Sequence, residues 1–207
     1  MKKIYLLIIT FILTSVVLAQ ENHTFSKPKN EYTFGISAFH TDIASRNFYG
    51  IAIDGKIYVK HKWAVGFNIA ATSKNVANDF NYYVEKPTVT FLEFSFINHF
   101  DVYKNDSFRV GFTLSNGYGT AALNDRAYTE PTDEFFEVPI TISRNHFYIL
   151  QAGIETAIRL QKNVHGYHIY LKSDLKNRKT FGNANFGTSN DFKGMYFGLG
   201  ILLVSRL

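Results

Sequence analysis

Charged side chains that recur at alternate positions inside otherwise apolar runs are where this 207-residue chain could do chemistry. Asp54 and Lys56 lie two apart, as do Lys172 and Asp174, while Glu155 and Arg159 lie four apart. Glu93, Asp101 and Arg109 occupy comparable places between bulky neighbours. Even spacing puts such residues on one face of an extended strand. Five acids and four bases brought to one side could work as general acid and base pairs. They could equally neutralise one another as a paired ionic core, because charges withdrawn from water must pair. The near balance of sign favours pairing.

Other reactive types are scattered. His40-Thr41-Asp42 forms one small cluster, and His99 stands near a strand end. His165 and His168 are three apart, which on a strand sends them to opposite faces, a poor arrangement for a metal. With no cysteine there is no disulfide, no thiolate metal site and no cysteine for lipid attachment. Asn22 and Asn105 each begin an Asn-x-Ser/Thr triplet, the second inside a tight turn. No catalytic, cofactor-binding or metal-binding residue is assigned. The segment Asn124–Ser143 gathers Asp125, Arg126, Tyr128, Glu130, Asp133, Glu134, Phe135 and Phe136. Acids with aromatics in an exposed loop could bind a cation, a glycan or a protein.

The elements that must position these residues are strands. Met1-Lys2-Lys3, the apolar stretch Ile4–Leu18 and the small-residue site Val17-Leu18-Ala19 have the layout of a secretory signal peptide over 1–19. A short segment, 20–30, follows. Loss of the signal takes the formal charge from +5 to +3, a mild balance without a Lys/Arg cluster, so no nucleic-acid partner is expected. From Glu31 onward eight runs alternate large apolar residues with Gly, Ser, Thr and charge; Leu92, Phe94 and Phe96 against Glu93 and Ser95 is one example. The runs are long enough to cross a bilayer, which takes about 9–11 tilted residues. Tight turns at His61-Lys62, Asn105-Asp106 and Asn163-Val164 alternate with longer loops at Thr41–Phe48, Ser73–Pro87, Asn124–Ser143 and Thr180–Asp191.

Eight bulky faces turned inward would overfill an eight-stranded interior. Turned outward into lipid they are buried, and closure satisfies the backbone. Trp63, Tyr103, Phe108 and Tyr167 beside the tight turns read as an interfacial belt, with Tyr49, Tyr118 and Phe192 toward the loops. The expected fold is therefore all-β: an eight-stranded antiparallel up-and-down transmembrane β-barrel over 31–207.

With its Val17-Leu18-Ala19-Gln20 signal end, its eight alternating runs and its closing segment Gly194–Leu203, the chain resembles small bacterial outer-membrane barrels of the OmpA/OmpX type, especially those of Bacteroidota. The likeness is of pattern, without a diagnostic motif. It departs at the end, Arg206-Leu207, where many relatives carry a terminal aromatic. The resemblance implies an outer-membrane site with extracellular loops and periplasmic termini. It also implies outer-membrane lipid, lipopolysaccharide and the outer-membrane assembly machinery as partners, beside an unknown extracellular ligand. The function expected is non-enzymatic, structural or surface-interacting, with the lumen closed by ion pairs. A narrow solute channel and a lipid-modifying enzyme are the alternatives; some related barrels place catalytic His, Ser and Asp near the position of His40, but no matching His-x-Ser pair is present here.

Overall fold

The computed structural model describes residues 31–206 apart from 78–81, 134–135 and 165–166. The signal peptide and the segment 20–30, together with Glu134, Phe135 and His165, lie outside the described residues. Eight strands follow one another: β1 (Glu31–Ile43), β2 (Arg46–Tyr58), β3 (Trp63–Asn75), β4 (Pro87–Lys104), β5 (Phe108–Asp133), β6 (Phe136–Val164), β7 (Tyr167–Phe181) and β8 (Gly194–Arg206). Each pairs antiparallel with the next, and β8 closes on β1. Following the ladder from Tyr32 through Ile57, Val65, Asn98, Leu114, Ala152 and Asn177 ends at Met195, beside the top of β1. That stagger requires strands tilted by roughly 40° to the barrel axis.

The bulky faces look outward. Phe94 and Phe112 are 47% and 58% exposed, whereas Glu93 and Arg109 are 1% and 3% exposed. On β5 the outward apolar band runs from Phe108 to Tyr118. Ten residues of strand at this tilt give a height of about 25 Å, that of a bilayer's hydrocarbon layer.

Above that band the faces exchange character on the same strands. Outward positions become Thr90 on β4, Thr120 and Asn124 on β5, and His146 and Arg144 on β6. Inward positions, charged lower down, become Val89, Phe91, Ala121, Leu123, Phe147 and Ile149. Ile43, Phe48, Phe186 and Phe192 join them in one buried cluster. Alongside lipid the inward face is charged and polar; above the band it is mostly apolar, with Asn145 and Asp125 as bonded exceptions. The hydrophobic effect demands this inversion of a single barrel that meets two solvents.

Three sequence expectations are corrected. The first long loop, Thr41–Phe48, does not exist, because β1 and β2 pair to the end, Ile43 opposite Arg46, and only Ala44-Ser45 turns. Long and short connections therefore do not alternate strictly. Nor is Asn124–Ser143 a loop: β5 and β6 continue as a ribbon to Asp133 opposite Phe136. The neighbouring ladders stop earlier, at Pro87↔Asp125 and Tyr148↔Phe181, so this ribbon stands clear of the barrel. Pro131 and Pro139 interrupt its edges, a common guard against unwanted pairing. Phe192, placed by sequence in the aromatic belt, is instead wholly buried among Phe91, Phe147 and Phe186.

Both Ala44 (φ 50°) and Ser45 (φ 60°) hold left-handed backbone, the geometry of a type I′ turn without the residues that favour it. Replacing the pair with Asn-Gly should stabilise the barrel by about 1 kcal/mol, read as a higher denaturant midpoint in detergent micelles.

Candidate functional site

The lumen is built from inward positions of all eight strands. Six carboxylates (Glu31, Asp54, Glu93, Asp101, Glu155, Asp174) meet six cations (Lys56, Lys104, Arg109, Lys172, Lys176, Arg178), all with side chains almost withdrawn from solvent. They lie in layers.

Nearest the turn end, Glu31 on β1 accepts from Arg109 on β5 at 2.6 Å and pairs with Lys104 at 2.9 Å. Tyr58 and Tyr170 flank these cations, with the Lys104 ammonium 3.4 Å from the Tyr58 ring centre and the Arg109 guanidinium 5.0 Å from that of Tyr170. Just above, the His99 ring bonds Asp101 at 2.9 Å through Nε2 and Thr113 at 3.2 Å through Nδ1. With Asp101 as a carboxylate, Nε2 donates and Nδ1 accepts from the hydroxyl. Thr–His–Asp is the order of nucleophile, base and orienting acid in hydrolases. Here all three lie within the packed lumen wall, where neither lipid nor bulk water reaches the hydroxyl.

The middle layer is a five-membered cluster. Lys56 on β2 donates to Glu155 on β6 at 2.5 Å, joining strands on opposite sides of the barrel. Lys172 on β7 bonds Asp54 on β2 and also pairs with Asp174 at 3.2 Å and Glu155 at 3.6 Å. To meet Asp54, Lys172 must cross both β8 and β1. Small wall residues allow it: a Cβ on Gly35 would lie 2.7 Å from Asp54 Oδ1, and one on Gly198 would crowd Tyr196 and Asp174. Several oxygens in this layer (Asp54 Oδ2, both of Asp174, Ser37 Oγ, Tyr196 Oη) take no hydrogen bond from protein, so ordered water is expected among them.

The upper layer holds Glu93, which accepts from Gln151 at 2.9 Å and faces Arg178 at 3.8 Å. Arg178 also donates to the Phe192 carbonyl at 2.9 Å and lies over the Phe91 ring at 4.7 Å. It thereby couples the charged lumen to the apolar cluster above. That cluster is capped by the β7–β8 connection, 182–193. Asn145 holds the connection: its amide donates to the Phe186 carbonyl at 2.7 Å, and its oxygen accepts from the Asn185 and Phe186 backbone amides.

Of the charges expected inside, the structure brings together Asp54, Lys56, Glu93, Asp101, Arg109, Glu155, Lys172 and Asp174. It does not bring in Arg159, which is half-buried at the turn end with its guanidinium 3.4 Å from Ser107 Oγ. Glu31, Lys104, Lys176 and Arg178, which are not among the charges expected inside, complete the set. Lys176 and Arg178 simply extend the even-numbered face of Lys172 and Asp174. Glu31 shares its face with Thr33 and Ser37, and Lys104 is hidden by a bulge between Asp101 and Tyr103.

Around the wall, Tyr103, Phe108 and Tyr167 face outward at the turn end and Trp63 is half-exposed there. At the ribbon's base Asp125 is buried, where its carboxylate accepts from the backbone amides of Glu85, Lys86 and Ala127. Desolvation alone would raise its pKa, but these three donors and the Lys86 charge together hold it below the ordinary carboxylate range. A depressed acid contributes stability above its unfolded pKa and loses it as pH falls through the folded value. The junction should therefore loosen at acid pH, and Asp125→Asn should remove that dependence; hydrogen exchange of the Lys86 and Ala127 amides between neutral and acid pH tests it. Arg126, Tyr128 and Glu130 are exposed on the ribbon, while the side chains of Asp133 and Phe136 lie outside the described residues. On the outer wall His40 Nε2 lies 3.2 Å from Asn47 Oδ1 and 3.7 Å from Asp42, with no nucleophile joined to it among the described residues.

A closed eight-stranded barrel, apolar outside over a membrane's depth and ionic within, is a transmembrane β-barrel. The comparisons agree on the fold. The chain is similar to Neisserial surface protein A (TM-score 0.52, 5% identity, 86% of this chain and 97% of that one). It is also similar to a major outer membrane protein from Thermus thermophilus (0.51, 13%, 85% and 99%). A third likeness is to Ail, the attachment invasion locus protein of Yersinia pestis, in its complex with the heparin analogue sucrose octasulfate (0.50, 14%, 85% and 99%). No protein-family model and no curated protein sequence matches the chain. The fold is thus that of small bacterial outer-membrane barrels.

Proposed function

We propose that this chain is a non-catalytic outer-membrane barrel, closed to solutes, that holds the ribbon 124–143 at the cell surface for recognition. One observation carries the reading: Glu31–Arg109 and Lys56–Glu155 cross the lumen between opposite walls, under an apolar cap. A path for ions would have to break paired buried charges and then pass a packed cluster of phenylalanines, each step costing several kcal/mol. In this reading the termini face the periplasm, the aromatics Trp63, Tyr103, Phe108 and Tyr167 mark the inner interface, and lipid, lipopolysaccharide and the assembly machinery are its membrane partners. The exposed Tyr128 and Glu130 on a ribbon that stands beyond the neighbouring ladders suit an extracellular protein or glycan better than a small solute.

Purified protein in a planar bilayer should give no single-channel current. Steps of current that vanish when the lumen is narrowed would overturn the closed-barrel reading in favour of a channel. Altered lipid species on expression, abolished by His40→Ala, would overturn the non-catalytic one. Membrane fractionation with a heat-dependent shift in gel mobility tests the location itself.

A further inference from the structure

We infer that a second copy of this chain packs in the membrane against the outward face of β4 and β5, with Asn98 and Asn116 each meeting its own counterpart. The inference goes beyond the function proposed above but rests on its membrane placement.

Lipid chains offer no hydrogen bond, so a polar side chain that faces them finds a partner in the wall or goes without. Elsewhere in the band it finds one. Thr156 and Ser173, on neighbouring strands, bond each other at 3.2 Å, and Asn177 donates to Met195 Sδ at 3.4 Å. Asn98 and Asn116 do not. Both lie on the outward face, Asn116 exposed and Asn98 half-buried, and neither carboxamide bonds any described residue. Their depth is that of the lipid: Asn98 stands between Phe96 and Phe100 on β4, and Asn116 between Leu114 and Tyr118 on β5. A carboxamide on a single methylene cannot reach up to the headgroups as a lysine does.

Asn98 pairs with Leu114, and Phe96 with Asn116, so the two asparagines are diagonal neighbours. The diagonal matters because the strands tilt. Each step across the ladder from β4 to β5 climbs toward the loop end, and β5 itself climbs from Leu114 to Asn116. In a wall tilted by roughly 40°, about 4.8 Å across and about 6.6 Å along run opposite ways around the barrel and nearly cancel. Both rise, so Asn116 stands about 8 Å above Asn98 on a line almost parallel to the barrel axis. Phe96 flanks that line on one side and Leu114 on the other. At 62%, Phe96 is the most exposed phenylalanine among the described residues of the wall.

That line selects the occupant. Copies inserted the same way share one orientation and one depth, so a two-fold axis between them runs along the membrane normal. Only groups beside the axis meet themselves at equal height. Asn98 and Asn116 share one such line, and a carboxamide is its own complement because it both donates and accepts. Phe96 of each copy then meets Leu114 of the other across the axis. A different protein would need matching donors and acceptors at the same two depths; a second copy has them by symmetry.

The test uses the full barrel refolded into phosphatidylcholine vesicles over a range of protein-to-lipid ratios. The chain has no cysteine, so Lys193→Cys carries donor or acceptor dyes, and energy transfer reads association. The wild type should associate above the level of random collision. Asn98→Leu with Asn116→Leu should weaken association roughly tenfold, the size expected of two hydrogen-bonded pairs in hydrocarbon, and Asn98→Gln with Asn116→Gln should retain most of it. Under oxidation Asn116→Cys should cross-link to itself, whereas Leu199→Cys, on the opposite wall, should not; this arm stands even if the leucine variant fails to fold. Transfer no greater than random collision, equal association by wild type and the leucine variant, or equal cross-linking through Leu199→Cys overturns the inference and leaves the membrane reading intact. In isolated outer membranes, a thiol cross-linker that joins Asn116→Cys to a different protein and not to itself gives the face to another occupant and also overturns it. Failure to insert into any bilayer overturns both readings.

Discussion

Lys172→Met should destabilise the barrel by on the order of 4 kcal/mol, read as a lower urea midpoint in micelles and a lower temperature for the heat-dependent gel shift. Lys172 is the hub of the middle layer, touching Asp54, Asp174 and Glu155. Methionine nearly matches its volume, so the loss is electrostatic and not a cavity. Three buried carboxylates would be left with Lys56 alone, and an uncompensated buried charge costs far more than an ion pair contributes. The converse experiment separates the two effects. Replacing Lys56 and Glu155 together by methionine removes one charge of each sign, and should cost much less than either single change. A large loss in the double variant, with little loss in Lys172→Met, would mean that packing and not charge holds the layer.

Much of this site was legible because lipid-facing strands alternate so strictly. Once Leu92, Phe94 and Phe96 are turned outward, Glu93 has only the lumen to face, and the same step places Asp54, Lys56, Asp101 and Glu155. What parity gives is direction. It does not give partners: nothing in sequence spacing tells Lys172 to reach over β8 and β1 to Asp54, because that depends on which wall residues are small and on the stagger of the closed ladder. Arg159 shows the limit from the other side. It has the correct parity but stands too near the turn end to share the buried layer.

The apolar cap was harder to see, although its residues also follow the alternation. Phe91 and Val89 continue the inward face of Glu93, and Phe147 and Ile149 that of Gln151. Bulky residues on a face already assigned as polar look like the end of a strand or a loop, which is why Asn124–Ser143 reads as loop from sequence. They mark instead the height where the solvent outside changes from hydrocarbon to water. A strand can run through that boundary unbroken provided both of its faces change character together, as β4, β5 and β6 do. The exchange itself carries information about membrane depth, and it separates this barrel from a soluble one, in which the inward face would be apolar throughout.

Asn145→Ala should release the cap without unfolding the wall. Asn145 is fully buried, and its one amide serves three backbone groups of the 182–193 connection. Alanine removes these bonds and leaves the Phe186 carbonyl and the Asn185 and Phe186 amides to find water where Phe186 now packs against Phe192. A buried backbone group left without a partner costs about 1–3 kcal/mol. At the same end two weaker-placed surface bonds remain, Tyr82 hydroxyl to the Asn185 carbonyl and the Asn185 amide to the Arg144 carbonyl. The bonds of Arg178 to the Phe192 carbonyl, Thr180 to the Ser189 carbonyl and the Ala44 amide to the Asp191 carbonyl lie at its far end. The loss therefore falls on local opening, not on global stability. If about 2 kcal/mol is lost locally, proteolytic nicking within 182–193 should quicken roughly thirtyfold while the urea midpoint of the barrel barely moves. The closed state would persist even so, since the ionic layers beneath still cross the lumen. A variant that nicks no faster would show that phenylalanine packing alone seats the cap; one that conducts ions would show that the cap, and not the ion pairs below, is what closes the barrel.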